Sequence, residues 1–288
     1  VRVERIDVGG LTLELLGWNL DRPGRPLVVL HGFLEQALAW REVAQRLDRP
    51  VWALDHRGHG RSDAVGAGGF YHFWDYVSDL DGVLERLWPR SPVHLLGHSM
   101  GGTIACLYAG SRPERVARLV LVEGLGPRDA ADTHVERARV FLRHRRVGTP
   151  HGRPFADLDS AARRMMRYNP ALTLSHAREL ADRQTHPVAG GVQWSWDPRH
   201  RSRSPRPFVF DHFVPFLQAI TAPTLVIAGD RSSYPGEERV HHLADARFVA
   251  LPAGHLVHHD APDELADVVR DHLALSRVDE ARDTPSHG

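Results

Sequence analysis

The chain has 288 residues, 42% of them hydrophobic and 25% charged, and its 36 basic and 36 acidic side chains cancel. That length holds one large domain with a full core, or one domain plus an insertion, and the composition excludes disordered and fibrous classes. Zero net charge removes any global field that would draw the chain to nucleic acid or an anionic membrane, and no apolar run approaches the length of a membrane span.

In chain order, residues 3–8 and 11–18 flank Gly9-Gly10 and read as a hairpin. Short β-rich runs follow at 27–30, 51–55, 93–96, 119–123, 224–228 and 247–251. They lack polar alternation, as strands buried on both faces of a parallel sheet do. Helical patterns at 36–47, 71–88 and 100–109 separate the earlier runs, and a last amphipathic helix fits 262–275, with Asp263-Glu264 in its first turn. This alternation predicts an α/β fold, a mostly parallel sheet with flanking helices. It breaks after Glu123. Residues 126–216 are rich in Arg, His and Pro, with helix-like pieces at 135–145, 158–168 and 174–184. That is too long for a bare loop and is read as an inserted helical cap or lid. Its aromatic residues pack the cap or line a pocket, and Trp194 and Trp196 are its candidates for substrate contact. The predicted organisation is a core of 1–125 and 217–275, a cap of 126–216 and a flexible polar tail of 276–288.

A single cysteine excludes an internal disulfide. Within Thr103-Ile104-Ala105-Cys106-Leu107 it reads as a small buried residue. Val1-Arg2-Val3-Glu4-Arg5 shows no signal-peptide h-region, so the expected setting is cytoplasmic.

The segment Val93-His94-Leu95-Leu96-Gly97-His98-Ser99-Met100-Gly101-Gly102 fits the nucleophile-elbow pattern G-x-S-x-G. A chain leaving a strand and entering a helix within so tight a turn forces Ser99 into a strained conformation. Small residues two before and two after it let neighbouring elements close on the turn. The serine then stands at a helix N-terminus, where N–H groups favour developing negative charge. The short pattern is common by chance; its place between an apolar strand and a small-residue helix gives it weight.

Three more motifs stand at strand ends: His31-Gly32-Phe33, Asp55-His56-Arg57-Gly58-His59-Gly60-Arg61-Ser62 and Gly254-His255. With the elbow, they make the chain resemble the α/β-hydrolase superfamily along nearly its whole length. The resemblance implies an eight-stranded α/β-hydrolase sheet, Ser99 as nucleophile and His255 as its base, the latter set in a loop between the last strand and the last helix. It also implies an oxyanion hole from the N–H groups of Phe33 and Met100, with the Phe33 side chain facing the pocket. His31, Gly32 and His98 would lie around the substrate, and the turn after Asp55 would organise loops rather than react. A single glycine after His31, rather than a glycine run, resembles the members that take small to medium acyl substrates.

The third triad member departs from the commonest pattern. The orienting acid of this superfamily usually follows the penultimate strand, three residues after a glycine, and in Ala228-Gly229-Asp230-Arg231-Ser232 that place holds Ser232. A serine cannot stabilise an imidazolium as a carboxylate does. Two candidates remain: Glu123, closing an apolar strand at the ligand-binding edge of the sheet, and Asp230 as the alternative. Residues 122–127 and 190–198 resemble the serine-hydrolase-like subgroup.

No metal or cofactor is expected. The adjacent pairs His241-His242 and His258-His259 point apart on any regular element, and neither H-E-x-x-H nor a dinucleotide or phosphate loop is present. The resulting expectation is a serine hydrolase, carboxylesterase-like, cleaving an ester, lactone or thioester of a small molecule. Carbon–carbon hydrolysis or lyase/cyclase chemistry with the same triad, and a non-catalytic ligand-binding homologue, are the alternatives.

Overall fold

The computed structural model describes residues 1–129, 134–149, 152–202 and 204–274, so the expected tail at 276–288 lies outside the described residues. The chain opens with β1 (Arg2–Val8) and β2 (Leu11–Trp18), paired antiparallel as the expected hairpin, with Val8 opposite Leu11. Both turn residues, Gly9 and Gly10, have positive φ, as a two-residue turn matching strand twist requires. Then come β3 (Leu27–Leu30), α1 (Arg41–Arg46), β4 (Val51–Leu54), α2 (Phe73–Leu87), β5 (Val93–His98), α3 (Met100–Ser111) and β6 (Val116–Val122). The helix expected over 36–47 is divided, with a 3₁₀ turn at Ala37–Trp40 before α1. Trp40, at φ −92° and ψ 0°, interrupts the α geometry between them.

Between β6 and the next strand of the main sheet lie α4 (His134–Val147), α5 (Leu158–Tyr168), α6 (Leu174–Gln184), the hairpin β7 (Thr185–Val188) and β8 (Gly191–Trp194), and α7 (Phe210–Ala219). The hairpin and α7 were not expected. Pro187 and Pro215 interrupt their patterns in sequence, and α7 carries Pro215 inside it. The junction expected at 216/217 falls within α7, which packs on α3. The chain finishes with β9 (Thr224–Gly229), α8 (Gly236–Arg239), β10 (Ala246–Leu251), α9 (Val257–Asp260) and α10 (Pro262–Ala274).

Eight strands form one sheet in the order β1-β2-β4-β3-β5-β6-β9-β10, parallel throughout except where β2 runs against both neighbours. Side chains alternate between two cores. Val28 and Leu30 join a cluster with Leu80 and Leu84 of α2, Ile104 of α3 and Leu217 of α7. Leu27 and Val29 join Val43 of α1, Leu180 of α6 and Leu265 and Val269 of α10 on the opposite face. The carboxyl ends of β3, β5, β6, β9 and β10 therefore meet along one edge, where ligands of parallel sheets bind. No helix among the described residues is long and apolar enough to cross a membrane.

Candidate active site

Ser99 follows β5 directly and precedes the first residue of α3, with φ 51° and ψ −113°. A non-glycine residue there is strained and persists only where its surroundings fix it. They do so through glycine contacts. A Cβ on Gly97 would strike the Gly101 backbone, one on Gly101 the Leu30 carbonyl, and one on Gly102 the Gly124 backbone. Backbone bonds complete the turn, with Ser99 N–H donating to Val122 O at 3.0 Å and the Ser99 carbonyl accepting from Gly102 and Thr103.

The Ser99 Oγ lies 3.0 Å from His255 Nε2. The other ring nitrogen, Nδ1, lies 2.9 Å from Glu123 Oε2. Glu123 is fully buried, with φ 53°, one residue past the end of β6. Its carboxylate also accepts from Gly229 N–H at 2.8 Å and from the Ser232 hydroxyl at 2.6 Å. The serine at the usual acid position thus holds the Glu123 carboxylate. Asp230 turns away; its side chain is half exposed and lies 3.6 Å from the Arg231 guanidinium.

Beneath Ser99, His98 Nδ1 lies 2.9 Å from Glu35 Oε2 and its Nε2 2.9 Å from the His255 carbonyl oxygen. Both partners are acceptors, so both ring nitrogens carry hydrogen and His98 is an imidazolium. Burial alone would lower its pKa, but the Glu35 carboxylate outweighs this and the value is raised. Burial would likewise raise Glu35, yet His98 and His258 hold it well below the usual carboxylate range. Glu35 also accepts from Gly32 N–H at 2.7 Å. One buried ion pair therefore fastens together the His31-Gly32-Phe33 loop, the elbow and the His255 loop.

Among the described residues, Glu35, His98 and His258 are also the group whose ligand atoms, all within 4.8 Å of one another, could share a metal ion. A metal would have to displace the proton at His98 Nδ1 and the Gly32 N–H from the same carboxylate. Composition offered no route to this pair, because its members are 63 residues apart in sequence.

A cavity of about 1280 Å³ opens over Ser99 and His255, bounded by Phe33, Met100, Phe213 and Tyr234. Phe33 is 48% exposed and projects into it rather than packing in the core. Among the described residues, no protein acceptor faces the N–H of Phe33 or of Met100. His31 and His98 are buried and, like Gly32, are not among the residues that line this cavity; His31 Nε2 accepts from His56 N–H at 3.1 Å. They build the floor of the site rather than its wall. Trp194 and Trp196 line a second cavity, which meets the first at Phe33. Asp55 is fully buried and accepts from Ala37 N–H and Arg61 N–H and from Arg183, so it braces the loops at the end of β4. Cys106 is buried, which pushes its thiol pKa up.

Residues 25–262 match the model of the α/β hydrolase fold family. The chain belongs to that family. A serine hydrolase-like protein of Danio rerio is 26% identical over 89% of this chain and 84% of its own length. A monoacylglycerol lipase of Mycolicibacterium smegmatis is 40% identical over a shorter stretch, 40% of this chain and 43% of the lipase. Among solved α/β hydrolases, the thioesterase domain from the curacin biosynthetic pathway superposes with a TM-score of 0.85 at 32% identity, covering 93% of this chain and 98% of that domain.

Proposed function

We propose that the protein is a serine hydrolase that cleaves a carboxylic ester or thioester of a small to medium organic substrate through an acyl-enzyme on Ser99. The observation that carries this reading is the unbroken line from Ser99 Oγ to His255 Nε2 and from His255 Nδ1 to Glu123 Oε2, at 3.0 and 2.9 Å. Glu123 fixes the tautomer in which Nδ1 bears hydrogen, leaving Nε2 free to take the serine proton. As Ser99 Oγ attacks the carbonyl carbon, His255 becomes an imidazolium that the Glu123 carboxylate stabilises. The negative oxygen that develops is met by the N–H groups of Phe33 and Met100, aided by the N-terminus of α3. Collapse breaks the bond to the leaving alcohol or thiol, which takes the proton from His255 Nε2. Water then repeats the sequence, with His255 as its base, and releases the acid and Ser99.

The similarity to a thioesterase domain and to a monoacylglycerol lipase supports acyl transfer to water as the reaction class. Ser232, in the place of the usual acid, is bonded to Glu123, which favours catalysis over the non-catalytic alternative.

A fluorophosphonate probe is expected to label the protein, Ser99→Ala to abolish labelling, and p-nitrophenyl butyrate or a short acyl thioester to be hydrolysed by the unmodified chain alone. Folded protein that neither labels nor turns over either substrate would refute the proposal.

A further inference from the structure

The second cavity, about 740 Å³, lies away from Ser99, between α5, α6, the β7–β8 hairpin and the Phe33–Gln36 stretch. Its size suits a small organic ligand, for which pockets run on the order of 300–1,000 Å³. Three features of its wall point to the ligand's chemistry.

The first is charge. Arg153, Arg164, Arg167 and Arg201 all border the cavity. Among the described residues none of the four forms an ion pair with a carboxylate. Arg164 donates to the neutral Tyr168 hydroxyl at 2.6 Å and lies over its ring, 4.7 Å from the centroid. The acid that borders the cavity, Glu35, is already spent on His98, His258 and Gly32 N–H. Four like charges around one mouth create a field that an anion relieves.

The second is the apolar interior. Phe155, Trp194, Trp196, Met165 and Leu172 line it, with Phe155 and Trp194 edge-to-face at 4.9 Å between ring centroids. The third is a pair of unspent polar atoms at depth. Asn169 is 3% exposed and Gln36 1% exposed, and both border the cavity. Asn169 Oδ1 accepts from Ala171 N–H, which orients the amide, and leaves Nδ2 without a partner. Gln36 Nε2 donates to the Leu180 carbonyl and leaves Oε1 without a partner. Buried amide atoms are ordinarily bonded, so residues bordering this cavity carry one unspent donor and one unspent acceptor.

We infer that this cavity is a binding site, separate from the one over Ser99, for an amphipathic organic anion: an apolar body ending in a carboxylate or phosphate held by the arginines. The inference does not rest on the proposed hydrolysis. The occupant would adjoin the loop that carries Phe33, because Phe33 borders both cavities and Gln184, also in this wall, donates to the Leu34 carbonyl at 2.5 Å.

Titration calorimetry on the full-length Ser99→Ala protein, which needs no turnover, tests it with decanoate, decyl phosphate and decanol below their aggregation limits. One or both anions are expected to bind, and the tighter anion names the head group. Decanol is expected to bind at least about tenfold more weakly, as loss of a charge-assisted contact implies. The pair Arg167→Gln/Arg201→Gln, both exposed in the native chain, should weaken anion binding about tenfold or more, and Arg167→Lys/Arg201→Lys should restore most of it. Arg206→Gln, which borders the Ser99 cavity, should leave binding unchanged. No binding by either anion, equal binding of decanol, or loss through Arg206→Gln in place of the Arg167/Arg201 pair would overturn the inference.

Discussion

Glu123 shows how a single residue's role depends on what surrounds it. In sequence it closes an apolar strand, and Asp230 competes with it because Asp230 lies nearer the usual position. In space the two differ: Glu123 has no exposure and reaches His255, whereas Asp230 is turned to solvent beside Arg231. Glu123→Gln is therefore expected to lower kcat about 1,000-fold or more, because the amide cannot stabilise the imidazolium. Asp230→Asn should stay within about twofold. Ser232→Ala removes one of the bonds that hold the carboxylate and should cost about tenfold. Steady-state hydrolysis of a p-nitrophenyl ester measures all three, and a ranking with Asp230→Asn at the bottom would reverse the assignment. Ser99 and His255 were legible because each sits within a residue or a few of a strand end, where local pattern and chemistry coincide. The Glu35–His98 ion pair was not, since neither neighbourhood hints that the other exists. In sequence Ser232 reads as a loss because its partner lies 109 residues away.

At the scale of elements, the strands were the most legible part. Runs such as Leu27–Leu30 are buried at every position, and a sequence with no polar face to show reads as an uninterrupted apolar stretch. Helix α5 and helix α6 were equally plain, since a 3.6-residue pattern survives many substitutions. The β7–β8 hairpin and α7 were hidden, because proline inside a short element mimics a loop. What the pattern cannot convey is how closely elements approach. Helix α3 meets the chain just past β6 where the backbone of Gly102, three residues from Ser99, touches that of Gly124. Gly102→Ala is expected to cost about 1–3 kcal/mol through this overlap and to lower the urea midpoint at an unchanged slope. Gly66→Ala, whose new methyl meets nothing within 4 Å, should change stability by less than about 0.5 kcal/mol. Equal effects of the two would show that close approach at the elbow carries no special weight.

Across the whole molecule the abundance of histidine, 20 in all, has one collective consequence. Burial is the leading cause of lowered pKa values at His31, His56, His59, His94, His200, His258, His259 and His272. His200 and His272 are pushed down to about 4, and His94 to about 2, from an unfolded value of 6.5. Each stays neutral in the folded chain while the unfolded chain takes up a proton. Their contribution is thus present above pH 6.5 and lost as pH falls toward the folded values. At pH 5 the loss is about 2 kcal/mol for each of these three, about 6 kcal/mol together, against a total stability on the order of 5–15 kcal/mol. Glu35, lowered by its two histidine partners, adds to the loss at still lower pH. His98 acts in the opposite direction: its raised pKa stabilises the fold below 6.5, and that contribution disappears only as pH rises through the folded value. One such group on the alkaline side cannot balance these eight, joined by His176 and His242, on the acid side. Urea unfolding at pH 8, 6.5 and 5 is therefore expected to show a midpoint that falls steeply between the last two, with several protons taken up per chain unfolded. A midpoint that holds steady down to pH 5 would mean that the buried histidines are already charged or solvated in the folded chain.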